Sequence, residues 1–489
     1  MKDDIFFIRT DFLNVKYFSH PLHFPPPIVF NFVKSFLDSF YNKEFNSEVI
    51  DCCVERLDVV QLSSKVLKLA PMLIVMSFAS FSSKSSIELA AIIKRNNKRI
   101  FIAGTGHDVA SRAYKYVDSD SPIDIILPEE SEQQIIDLII ALQKFKNNEK
   151  SRNFTRDKFY RRERVLNAAK LDDMPFPVYS KIELKKYNCI YPVTLRTKVT
   201  CGYVVSSRGC RHKCIFCTLV TRKSNSNPPQ FRNPSLLAED ILKLKKAGVN
   251  LVFFMDDDFA MSRTHLLTIC NEIIERKINI KWVASPRIDE LDSEIIEIMK
   301  RAGCVLLLLS VESGSGRIIE LLNKTMKPEK WLQRAEGAFR MARKLNIGTC
   351  ALFIVGSPTE SRADVEESIK VAKIINPDFI KVHFFTPYPG TIFFEQIKER
   401  LPEEMISNMH HYLPPVVNLS NMDTDALRRM QIYFYKKFIY RPRYIIFHFF
   451  KYGLFYLFNM EVFILFVKYL FLQVFNSSSP RKQNCAEKP

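Results

Sequence analysis

Cys210, Cys214 and Cys217 stand in the run Ser-Arg-Gly-Cys-Arg-His-Lys-Cys-Ile-Phe-Cys-Thr, residues 207–218. Thiolates spaced C-x-x-x-C-x-x-C can hold three irons of a [4Fe-4S] cluster. The fourth iron then has no protein ligand and is open to a small molecule. The spacing differs from paired zinc-ribbon cysteines and from four-cysteine ferredoxin runs. A zinc site would want a fourth ligand, and His212, inside the loop, is poorly placed to close a tetrahedron with all three thiols. Disulfides fit badly with an odd trio at short gaps behind an N-terminus that does not read as a signal peptide. Chance clustering is the remaining alternative in a chain of eleven cysteines. The flanks favour the cluster. Tyr203–Ser207 reads as a strand, Arg208-Gly209 as a turn, and Phe216 could shield the site from water.

A loop of this kind needs strands and helices to position it. From 199 to about 400, apolar strands are expected at 203–207, 250–255, 279–284, 304–311, 349–355 and 378–385. Helical patterns at 234–246, 261–276, 292–302, 316–323, 329–345 and 361–374 alternate with them. Six β/α units make a parallel, partial (β/α)6 TIM barrel, whose active residues belong at the carboxyl ends of the strands. The polar motifs fall there: the cysteine loop, Asp256-Asp257-Asp258, Arg287, Glu312-Ser313-Gly314-Ser315, Gly356-Ser357-Pro358 and Thr386–Thr391.

Residues 1–150 alternate in the same way, with strands at Ile5–Ile8, Glu48–Cys52, Met72–Phe78, Arg99–Ala103 and Ile123–Leu127. That pattern predicts an α/β, doubly wound (Rossmann-like) domain, with ligands beyond the strands' carboxyl ends. Those ends carry Ser77, Ser80, Ser82 and Gly104-Thr105-Gly106-His107. Residues 151–198 read as a linker, whose polar part carries four arginines at 156–164 and ends in the extended Leu171–Pro177. Residues 401–489 read as a helical C-terminal region, basic and aromatic from about 424. Between Tyr444 and Phe475 its polar residues fall on about half of a helix circumference, an amphipathic pattern. A helix packed on the barrel is the favoured reading, and a helix in a membrane interface is the alternative.

An apolar fraction of 47% over 489 residues allows large buried cores and excludes global disorder. The net charge of +18 favours anionic partners: nucleic acid, phosphorylated cofactors or an anionic membrane surface. No stretch reaches the roughly 18 uncharged apolar residues of a membrane span.

The ordered motifs resemble those of the cobalamin-binding-domain subgroup of radical S-adenosylmethionine (SAM) enzymes, over nearly the whole chain. The cysteine motif carries most of the likeness. Leu171–Tyr179, Phe254–Phe259, Trp282 with Arg287, Val311–Ser315, Phe353–Pro358, Tyr388–Thr391 and Tyr440–Tyr444 follow in family order. The resemblance implies that Cys210, Cys214 and Cys217 ligate the [4Fe-4S] cluster. It implies that Asp256, Asp257 and Asp258 meet the SAM ammonium, and that Arg287 meets its carboxylate or pairs with a strand-end acid. Metal ligation or a solvated loop are the bland alternatives for the aspartates. Glu312, Ser313 and Ser315 would hydrogen-bond the ribose or methionine, and Gly356 would let the backbone approach the adenine. In the N-terminal domain, Ser77, Ser80, Gly104, Gly106, His107 and Glu130 match landmarks of the cobalamin domain. The usual D-x-H-x-x-G run is absent, so cobalamin is expected base-off, without a histidine ligand. Loss of cobalamin is the alternative.

The implied chemistry is reductive cleavage of SAM to a 5′-deoxyadenosyl radical. Methylation of an unactivated carbon or phosphorus by way of cobalamin would follow, with SAM as both radical source and methyl donor. A non-methylating cyclisation, rearrangement or oxidation is the alternative within radical chemistry. Outside it stands a non-enzymatic metal-binding nucleic-acid module. The pair Cys52-Cys53 lacks the third partner that a methylthiotransferase's second cluster needs. Expected partners are a small-molecule, lipid or peptide substrate and an external electron donor such as flavodoxin or ferredoxin, with no nucleic acid. The expected location is cytoplasmic, with a membrane surface as an alternative contact of the tail.

Overall fold

The computed structural model describes residues 2–10, 26–55, 57–116, 120–127, 132–146, 170–177, 179, 181–187, 199–220, 228–411 and 414–453. The expectations for Glu130, for the arginine-rich part of the linker and for the tail beyond 453 lie outside them.

The N-terminal strands are β1 (Asp3–Arg9), β2 (Phe45–Asp51), β3 (Leu73–Ser77), β4 (Phe101–Thr105) and β5 (Ile125–Ile126). They form one parallel sheet in the order β2-β1-β3-β4-β5. Both faces of the inner strands β1 and β3 are buried, which is why Ile5–Ile8 and Leu73–Met76 read as unbroken apolar runs. Ile5, Phe7, Leu73 and Val75 enter one core, while Phe6, Ile8, Ile74 and Met76 enter the other. The chain reverses direction between β1 and β3, so the crevice for a ligand lies beyond Ser77. The expected fifth strand shrinks to two residues, because the Asp124 carboxylate takes the Ile102 N–H at 2.7 Å.

The second sheet holds β6 (Cys201–Val204), β9 (Leu251–Phe254), β10 (Lys281–Ala284), β11 (Cys304–Glu312), β12 (Gly348–Val355) and β13 (Phe379–Phe384). They lie side by side in chain order, all parallel. This is the expected six-unit partial barrel. Val252, Phe254, Trp282 and Ala284 pack outward against the helices, whereas Tyr203, Phe253, Val283, Leu306 and Cys350 form a separate inner cluster. The strand expected at 203–207 is broken. It ends at Val204, and β7 (Ser207–Arg208) turns away to pair antiparallel with β8 (Gln230–Phe231).

An open barrel leaves an edge at β13, and edges invite unwanted pairing. The helix Thr424–Ile439 covers this one. Tyr435 Oη accepts the Val382 N–H at 2.9 Å, and Gln431 Nε2 donates to the Val382 carbonyl at 2.7 Å. Phe434 stacks near Phe353, with ring centroids 5.0 Å apart. For residues 424–439 the tail is therefore a helix packed on the barrel.

Candidate functional site

The cysteine loop hangs from the break after β6. Asp256, at the end of β9, makes that break. One of its carboxylate oxygens accepts the Ser206 N–H at 2.8 Å and bonds the Ser207 N–H and, at 3.0 Å, the Ser207 hydroxyl; the other takes the Ser206 hydroxyl at 3.0 Å. Burial pushes this carboxyl up to about 7. Asp257 is exposed and accepts the Gly209 N–H at 2.8 Å, one residue before Cys210. Two acidic neighbours thus fix the start of the loop by different means, one buried and one at the surface.

All three loop cysteines are free thiols, with Cys214 buried and the other two half-buried. Burial pushes the Cys210 thiol up to about 11, and burial also raises Cys217 against the pull of Lys324. Among the described residues, only His212, Asp258 and Glu290 bring three ligand atoms within 4.8 Å of one another. His212 turns to the carboxylates, with Nε2 at 3.2 Å from Glu290 and 3.7 Å from Asp258. Burial and the facing Glu290 carboxylate push Asp258 up to about 7. Its Oδ1 accepts the Arg287 N–H at 3.2 Å, which ties the ends of β9 and β10 together.

Arg287 is buried beside the loop. Its Nη1 lies 3.6 Å from Cys214 Sγ, and its other nitrogens hold Asp289 and the Lys324 carbonyl. Glu312, at the end of β11, has φ +69° and pairs with Lys324 Nζ at 2.8 Å, both nearly fully buried. Arg287 and Lys324 both lie over the Trp331 ring, at 5.1 and 5.2 Å from its centre. Lys324, Trp331 and Glu290 were not among the expected site residues. They come from segments far along the chain, and no spacing signal links them to the cysteines. Ser313 and Ser315 hold the loop after β11 to the helix Arg362–Ile375, Ser313 through Ser368 at 3.2 Å and Ser315 through Asp364 at 2.7 Å. Gly356 sits at φ +85°, and a Cβ there would come within 2.6 Å of Leu427. The space left by its missing side chain is filled by the C-terminal helix.

In the N-terminal domain, the Ser77 and Thr105 hydroxyls are buried side by side at the carboxyl ends of β3 and β4, with no hydrogen-bond partner. Ser80 donates to Asp108 at 2.7 Å and lies 3.3 Å from His107 Nε2. Gly104 packs under Phe78, and at Gly106, with φ +106°, a Cβ would come within 2.7 Å of the Phe78 carbonyl oxygen. Two side chains of this domain, Glu132 and His107, reach across to the barrel. Glu132, after β5, forms a bidentate pair with Arg208, both bonds at 2.7 Å, two residues before Cys210. His107, after β4, meets Tyr388, after β13, edge to face at 6.1 Å. Both contacts join carboxyl ends, so the ligand ends of the two sheets face one another.

Residues 204–372 match the Radical SAM superfamily model. The uncharacterized methyltransferase PH0819 of Pyrococcus horikoshii is 26% identical over 427 residues, 84% of this chain and 88% of that protein. The anaerobic magnesium-protoporphyrin IX monomethyl ester cyclase of Cereibacter sphaeroides is 23% identical over 75% of this chain, which spans 60% of that relative. Among solved structures, the radical SAM methyltransferase TsrM of Kitasatospora setae, with cobalamin and a [4Fe-4S] cluster bound, superposes with a TM-score of 0.61 at 14% identity. The match covers 82% of this chain and 78% of that one. Residues 204–372, from the end of β6 through most of the helix Arg362–Ile375, are thus similar to a radical SAM domain. The fold, a doubly wound domain followed by a partial barrel and a helical C-terminal region, is similar to that of TsrM.

Proposed function

We propose that this protein uses a [4Fe-4S] cluster, SAM and cobalamin to methylate an unactivated carbon, or phosphorus, of a small-molecule, lipid or peptide substrate. The observation that carries the reading is the facing of the two ligand ends, joined by Glu132–Arg208 and His107–Tyr388. The cluster would supply the electron that splits SAM, and cobalamin would carry the methyl group. Cys210, Cys214 and Cys217 fit the cluster by number and by their spacing in the sequence, and Ser77 and Thr105 offer unpartnered hydroxyls to a polar cofactor. With Asp256 occupied by the loop, exposed Asp257 is the carboxylate best placed for the SAM ammonium. Arg287 and Lys324 supply positive charge for the SAM carboxylate, and Trp331 fixes where that charge sits. Asp258, Glu312, Ser313, Ser315 and Gly356 shape the strand ends around it. Ser80, Gly104, Gly106 and His107 do the same for cobalamin. Flavodoxin or ferredoxin would deliver the electron.

A non-methylating cyclisation or oxidation is the second reading, favoured by the cyclase that aligns with three-quarters of this chain. One experiment separates the two: anaerobic reconstitution with iron, sulfide and hydroxocobalamin, addition of SAM with dithionite as electron source, and mass analysis of the nucleosides. S-adenosylhomocysteine together with 5′-deoxyadenosine is expected, and 5′-deoxyadenosine alone would favour the second reading. Cys214→Ala should lose the brown iron–sulfur absorbance, and full iron retention in that variant would overturn the cluster assignment.

A further inference from the structure

Beyond Ile439 the chain turns at Arg441-Pro442 into the helix Pro442–His448 and a final wide turn, Phe449–Gly453. The side of this segment that faces the protein is polar. Tyr444 donates to the Asp378 carbonyl at 2.7 Å, Lys451 and Tyr452 bond the Asp378 carboxylate at 2.6 and 3.0 Å, and His448 is buried between the two tyrosines. The side that faces away is hydrocarbon. Ile446 is 57% exposed, Phe449 60% and Phe450 76%, with Tyr440, Ile445 and Phe447 exposed beside them. A surface helix on a globular protein has the opposite polarity.

Charge singles out what covers this face. From 426 to 460 the sequence has no Asp or Glu and seven Lys or Arg. Lys436, Lys437 and Arg443 of these are exposed around the apolar patch. Aromatic and aliphatic side chains within a cationic rim match the headgroup region of an anionic bilayer, which offers apolar depth below a negative surface. Among the described residues no helix is long and apolar enough to cross a membrane. We propose that the face built by Tyr440, Ile445, Ile446, Phe447, Phe449 and Phe450 docks this protein on an anionic lipid surface. The proposal rests on this segment alone, independent of the reaction.

Co-sedimentation of the full chain with vesicles tests it. Vesicles of phosphatidylcholine containing phosphatidylglycerol should carry the protein down, and pure phosphatidylcholine vesicles should carry far less. High salt should release the protein from the former. Ile446→Asp/Phe449→Asp/Phe450→Asp should abolish the binding. Each of Lys436→Gln, Lys437→Gln and Arg443→Gln should weaken it about fivefold on the anionic vesicles only. Because the lipid and salt comparisons need no variant, a misfolded triple mutant would leave the proposal testable. It is overturned if the wild-type chain stays in the supernatant with anionic vesicles, as it would were residues 454–489 to cover the patch. It is equally overturned if light scattering shows a dimer that the triple variant dissociates without any vesicle binding, which would assign the face to a second copy.

Discussion

Glu360 shows how one buried carboxyl shapes a strand end near the candidate SAM site. It is fully buried, and one of its oxygens accepts both the Gly356 and the Ser357 N–H groups. Burial pushes its carboxyl from 4.5 up to about 8. The folded state therefore holds a proton that the unfolded chain releases at about 4.5. Stability from that proton is complete below about 4.5 and is lost as pH rises through about 8. Glu360→Gln keeps an acceptor oxygen for both N–H groups and cannot ionise. The variant should lose less Tm than the wild type between about pH 5 and about pH 9. Equal losses measured by calorimetry would show that the group does not titrate in this way.

Between elements, the C-terminal helix closes the barrel through hydrogen bonds as well as packing. Val382 is buried on the edge strand and has its N–H and carbonyl answered by Tyr435 and Gln431. Tyr435→Phe preserves the ring and strands the N–H. A buried orphan donor costs about 1–3 kcal/mol, so chemical denaturation should show a loss of that size. A change near zero would mean that water reaches the edge. This arrangement was not legible in the sequence. Apolar periodicity disclosed the strands, since Ile5–Ile8 and Leu73–Met76 are buried on both faces. It could not tell which strand would be the edge, because that depends on where the barrel stops. The cysteine loop stood out in the sequence because its three cysteines lie within eight residues of one another. Asp256 was expected at SAM and instead binds Ser206 and Ser207. Its neighbour Asp257 has the same side chain, and only three-dimensional burial distinguishes the two. Lys324 and Trp331 were missed for a related reason: Lys324 meets Glu312 only because the chain folds back after the helix Gly316–Leu321, and Trp331 meets Arg287 from the next unit of the barrel.

At the scale of the whole molecule, the cysteine loop is braced from outside its own domain. Glu132 is 1% exposed and Arg208 33%, so the carboxylate depends on its partner for charge compensation. A second brace, Arg112 to Glu403 at 2.7 Å, joins the region after β4 to the segment after β13. Removing Arg208 leaves a buried, unpaired Glu132, a loss of about 3–5 kcal/mol. Removing both side chains relieves much of that penalty, so a double-mutant cycle of Arg208→Ala and Glu132→Ala should give a coupling above about 1 kcal/mol. A merely structural brace would stop there. Arg208 sits two residues before Cys210, and Glu132 follows the strand end where cobalamin is proposed to bind, so the pair also links the two cofactor sites. Adding hydroxocobalamin to the wild-type protein should therefore slow hydrogen exchange in residues 206–217, and the double variant should lose that slowing while still binding the corrinoid. Equal slowing in both proteins would show that the two sites communicate by another route, with His107 and Tyr388 the next contact to test.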